Sequence, residues 1–301
     1  MKKRIFKKRK EFNVFILLLM IVGLGVSVIT QLNISLVKAQ STQDNMQLEI
    51  INNNTENLFK YLGDKIDSAM NDYNAGNISK EEYANIMEEI KLLLDNKENY
   101  KKMKEDEVLV KNNIACPYSS SCTNGGGEQE TYLYFNKVTG EEIWLCVNHP
   151  FKCNTASKLA TQASEKTSSL YNRYVLWQGN GDAFRHAYWS ALMTKHIDRD
   201  FAYDAGLAHE GLKRGYNFSS QSEDSKMDIS NNYSGRILGD ENKTKSDNQI
   251  ANIIKNETTK GNLKRIRTYT SVPGYVDCYI DGIPTKYVGY YEPTSAGGLK
   301  S

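Results

Sequence analysis

Three residues able to ligate a metal or move protons fall on three successive helical segments of this 301-residue chain: His186, His209 and Asp228. Two imidazoles and a carboxylate form a donor set that zinc or a similar divalent metal accepts, with a position left for water. Asp182 and His186 are one helical turn apart, so Asp182 can join the set or orient the imidazole. The expected metal ligands are therefore Asp182, His186, His209 and Asp228. Glu210 directly follows His209, and neighbours on a helix point about 100° apart. It suits a general base better than a ligand, and His186, His209, Glu210 and Asp228 form the expected catalytic group. Arg185 and Arg236 can grip a phosphate or carboxylate in bidentate fashion, and the amides of Asn231 and Asn232 can bind a substrate oxygen. A phosphoester is the substrate class these four suggest.

Helices have to position these groups. In the stretch GNGDAFRHAYWSALMTKH, Asp182, Arg185, His186 and Trp189 recur at helical spacing beside an apolar face of Phe184, Ala187, Tyr188, Ala191 and Leu192. In AYDAGLAHE, Ala202, Ala205, Gly206 and His209 share a face small enough for close helix approach. In MDISNNYSGRILG, Asp228, Asn231, Asn232 and Gly235 line up. Surface helices commonly carry Lys and Glu on the polar face, whereas these carry Asp, His, Arg and Asn. The same residues also suit a buried polar network with no substrate. His196 reads as a C-terminal helix cap and His149 as a loop residue.

The rest of the chain divides into segments. Residues 1–39 read as an export signal: seven basic residues, seventeen uncharged residues from Val14 to Thr30, then Val37-Lys38-Ala39. A retained membrane anchor is the rival reading, and both leave the remainder outside the cytoplasm. The whole chain holds 38 basic and 36 acidic residues. Beyond the leader 30 and 35 remain, so the apparent basicity belongs to the leader and nothing after it reads as a nucleic-acid footprint. Membrane contact is expected only through the N-terminal segment.

Residues 40–105 read as a helical hairpin, a stalk or packing partner, whose second helix opens on a Ser79–Glu82 capping box. The charged run from Asp95 to Glu107 reads as a solvated face or linker. Residues 106–155 hold Cys116, Cys122, Cys146 and Cys153 around a β-hairpin over TYLYFNKVTGEEIWL. Disulfides are favoured over a zinc site with His149, because the loops are longer than zinc knuckles use. Connectivity stays open, as does the state of Cys278. Residues 156–262 form the helical domain with the site, and 263–301 are expected to hold about three antiparallel strands, with a hairpin at Asp281-Gly282 and a frayed tail from Pro293.

The pattern D-A-F-R-H-A-Y-W at 182–189, H-E at 209–210 and M-D-x-x-N-N-x-x-G-R at 227–236 resembles an uncharacterised bacterial domain family found in secreted and toxin-like proteins. The resemblance implies a helical domain and no particular reaction. A fainter likeness is to all-helical zinc phospholipases and nucleases, although four histidines are too few for their three-metal cluster. The chain is thus expected to be mainly α with a minor β part, an exported or surface-anchored hydrolase assisted by a zinc-like divalent metal. The alternatives are a non-enzymatic envelope binding protein with a buried network, and a toxin-type effector.

Overall fold

The computed structural model describes residues 57–113, 138–172, 175–269 and 285–300. The leader, Cys116, Cys122, Cys278, the 131–137 strand and the Asp281-Gly282 turn lie outside them. The described fold is mostly helical with one short two-stranded antiparallel sheet, as the composition of the segments predicts. No helix among the described residues is long and apolar enough to cross a membrane.

Helix α1 (Leu58–Ala75) is capped by Asn57, whose side chain accepts from the Lys60 amide. It ends at Gly76, whose left-handed conformation (φ 76°) costs glycine little. Helix α2 (Lys80–Asp95) starts on the expected Ser79–Glu82 box. Leu62 and Ile66 of α1 and Tyr83, Met87 and Ile90 of α2 are buried. The hairpin is a packing partner. Tyr73 stacks on Tyr83 at 4.9 Å, and both meet Phe151 edge-on.

Two expectations for the next segments are corrected. The charged run, expected as a solvated face or linker, is helix α3 (Lys97–Asn113), which keeps Lys97, Glu98, Lys101 and Glu105 in solvent and is not a linker. Its Lys and acidic residues pair at i, i+4, as in Lys101–Glu105 and Lys102–Asp106. Asp106 also accepts the Leu58 amide at 2.7 Å, which satisfies a free donor at the start of α1. The second strand of the cysteine hairpin is helix α4 (Gly140–Asn148). Thr139 and Glu142 form a second capping box, and that local signal outweighs the alternation of GEEIWL. Helix α5 (Pro150–Leu170) follows at once, and Cys146 and Cys153 are disulfide-bonded across the junction.

Helix α6 (Asn180–His196) lies at the centre and packs on α5, α7 (Arg199–His209), α8 (Glu223–Glu241) and α9 (Asp247–Lys260). Its closest neighbour is α8. A Cβ on Gly235 would stand 2.8 Å from the Ala187 Cα, and one on Gly239 equally close to the Ala191 Cα, so the two backbones meet without side chains between them. Strand β1 (Lys264–Tyr269) pairs with β2 (Thr285–Pro293), with an irregularity between Arg265 and Arg267.

The tail beyond Pro293 is not frayed. The Asn180 side chain donates to the Gly297 carbonyl at 2.7 Å and accepts from the Ser295 amide at 3.0 Å. The Asn172 amide donates to Gly298, and that of Lys300 to Leu170. These bonds hold the tail against the start of α6 and offset the entropy of ordering small polar residues.

Candidate metal-binding cluster

Helices α6 and α8 bring Asp182, His186 and Asp228 together. One ligand atom from each lies within 4.8 Å of the other two. The His186 Nε2 is 3.5 Å from Asp182 Oδ1 and 3.4 Å from Asp228 Oδ1. All three residues are buried, Asp182 and His186 to within 2 % and Asp228 to within 7 %. Spacing along α6 explains the first pair, and the glycine contact with α8 brings in the third. The group is buried, while Arg185, His209 and Glu210, whose charges act on it, are partly exposed.

The surroundings are rich in acid. Burial pushes the Asp228 carboxyl well above its usual range, and the charges of Glu210, Asp182 and Asp224 add to this. Burial does the same to Asp182, with Asp224 next. Burial also raises Glu210, although the His209 charge pulls it back. Burial and the nearby Arg185 hold His186 well below its ordinary value, which favours the neutral imidazole. Arg185 donates to the Leu176 carbonyl and reaches Asp182 at 2.5 Å and His186 Nε2 at 2.8 Å, and burial lowers its pKa to about 10.

His209, expected as a fourth ligand, is engaged otherwise. Its ring stands 5.8 Å from that of His186, and its Nδ1 is 2.9 Å from Glu142 Oε1. Burial would lower the His209 pKa, but the Glu142 carboxylate outweighs it and raises it. Glu142 was missed by sequence reasoning. It is 67 residues from His209, and its signal was the Thr139-x-x-Glu142 cap, which also bonds Thr139 Oγ1 to the Ala208 carbonyl.

The two asparagines part company. Asn232 is buried beside Gly206, and its side chain lies against the His186 imidazole, whose pKa it holds up against burial. Asp228 Oδ1 is buried with no hydrogen-bond partner. Asn231 spends both ends of its amide on the Lys264 backbone, at 2.9 Å each, and so anchors β1 instead of facing a substrate. Arg236 stacks on Tyr203 and lines a separate cavity. His196 contacts Asp247 at 2.9 Å, and His149 occupies the joint between α4 and α5.

Residues 143–262 match the model of DUF6973, a domain of unknown function. The DUF6973 match runs from α4 to the end of α9 and holds every site residue expected from the sequence, while Glu142 stands just before it. No curated protein and no solved structure matches the chain.

Proposed function

We propose that Asp182, His186 and Asp228 hold a divalent cation and that the chain is an exported, metal-assisted hydrolase. The observation that carries this is the buried trio itself, with the Asn232 amide beside it. Five carboxylates (Asp182, Asp228, Glu210, Asp224 and Glu142) interact here with two cationic side chains, Arg185 and His209. Buried unpaired charge is costly. A fold that concentrates acid in this way either keeps protons on it or takes up a cation.

A bound divalent ion would supply Lewis acidity and an acidified water. The chain's own groups have separable tasks. Glu210, whose carboxyl burial makes more basic than usual, is suited to take a proton. His209, oriented by Glu142, is suited to return one. Asn232 can donate to a substrate oxygen, and Arg185 can meet an anionic group. The phosphoester class rests on these last two, since Asn231 and Arg236 face elsewhere. Export rests on the character of residues 1–39.

One observation favours a second reading, a structural network. The Arg185 guanidinium already contacts both Asp182 and His186 and supplies counter-charge of its own. Metal content of the purified chain, with zinc and manganese titrations, separates the two. We expect about one equivalent, and a gain of about 2.7 kcal/mol in stability when the metal is at 100 times its Kd. Asp228→Asn should abolish both. Glu210→Gln should keep the metal and lower hydrolysis in an ester and phosphoester panel by about 100-fold or more. A chain that takes up no metal, and whose Asp228→Asn variant is less stable, belongs to the network reading.

A further inference from the structure

Arg236 is 93 % buried, as its 7 % exposure shows, and has no carboxylate or hydrogen-bond acceptor among the described residues. Its guanidinium lies 4.7 Å from the Tyr203 ring centre and 5.8 Å from that of Tyr233. Neighbouring arginines are answered: Arg199 by Asp240 at 3.1 Å, and Arg214 by Asp204. The residue as a whole is enclosed, yet none of its guanidinium nitrogens is sealed from solvent, so its N–H groups are open to an anion. Burial lowers the Arg236 pKa.

Arg236 lines a cavity of about 600 Å³ together with Arg199, Lys264 and a single acid, Asp200. Its rim carries Phe218 and Tyr233, two large side chains left 36 % and 56 % exposed. Stacking on tyrosine holds the guanidinium plane and leaves its N–H edge to be met by a ligand. Arg236 stands eight residues beyond Asp228 on α8, about 12 Å along the axis, so this is a place apart from the Asp/His cluster.

We propose that this cavity binds an oxyanion, phosphate or carboxylate, attached to a flat aromatic group. The anion pairs with Arg236, and the ring rests among Phe218, Tyr216 and Tyr233. The inference does not depend on the metal reading.

Calorimetric titration of the full chain with phenyl phosphate, benzoate, inorganic phosphate and phenol tests it. Phenyl phosphate or benzoate should bind saturably, at least about 10-fold tighter than phosphate or phenol, and more weakly as salt rises. The tighter of the two names the oxyanion. Arg236→Gln should weaken binding at least about 10-fold while keeping the fold, since no ion pair or hydrogen bond among the described residues depends on it. Ser234→Phe, which fills the cavity without touching the arginine's charge, should do the same. Chelation by EDTA and Asp228→Asn should leave binding intact. The proposal fails if neither aromatic anion binds below about 10 mM, if Arg236→Gln binds like the parent, or if binding is lost with EDTA.

Discussion

Helices α1 and α2 differ in kind from α6 and α8. The first pair puts Leu, Ile, Met and Tyr inward and Lys and Glu outward, and is held by ordinary caps and apolar burial. The second pair buries Asp182, His186, Ser190, Thr194, Asp228 and Asn232 between backbones in direct contact. A glycine makes the contrast plain. Gly63 of α1 has open space where a Cβ would go, whereas Gly235 of α8 has the Ala187 backbone there. Apolar stripes stabilise and tolerate change. A polar seam is costly to bury wherever its groups go unpaired.

Four measurements can break or sharpen that contrast. The largest effect is expected for Gly235→Ala, which forces α6 and α8 apart. It should cost about 3 kcal/mol in denaturant unfolding. A cost near zero would mean that the helices are not in contact there. Next comes pH. Asp182 and Asp228 bind protons more tightly in the metal-free fold than in the unfolded chain. Their contribution is therefore fully present below the ordinary carboxylate pKa, near 3.8, and lost as pH rises through the raised values. Each unit by which Asp228 is raised is worth about 1.4 kcal/mol. Melting curves of metal-free protein should fall less steeply with pH in Asp228→Asn than in the parent, and an equal slope would contradict the burial of the carboxylate. His186, shifted downward, acts in the opposite sense below its ordinary 6.5, so the comparison is read above that pH. A smaller loss, about 1 kcal/mol, is expected for Ser79→Ala, which removes the cap of α2. Smallest is Gly63→Ala, a gain of about 0.5–1 kcal/mol from better helix propensity, with no other change.

The same contrast explains how far the sequence could be read. The α2 stripe, its capping box and the turn at Gly76 are local, and local signals suffice for them. So does the placing of Asp182 and His186 one turn apart. On α8 the spacing listed polar residues without saying what each edge would meet. At 100° per residue, Asn231 and Arg236 are about 140° apart around the helix, with Asp228 and Asn232 between them. Only that middle arc faces α6. The His209–Glu142 pair joins residues far apart in the chain, which no periodicity reveals. Alternation in GEEIWL gave the wrong element because a capping box and packing against α7 decide in favour of helix. The charges of α3 suggested solvent, yet Asp106 and Glu107 are buried against their neighbours.

Where Gly235 and Gly239 press on the backbones of Ala187 and Ala191, there are no rotamers to exchange and no long side chains to slide past one another. Small fluctuations therefore have nowhere to go, and the two helices part only by separating along their whole shared length. Amide protons of α6 and α8 should then exchange with solvent together, in one slow cooperative event, as a single late-opening unit of the chain.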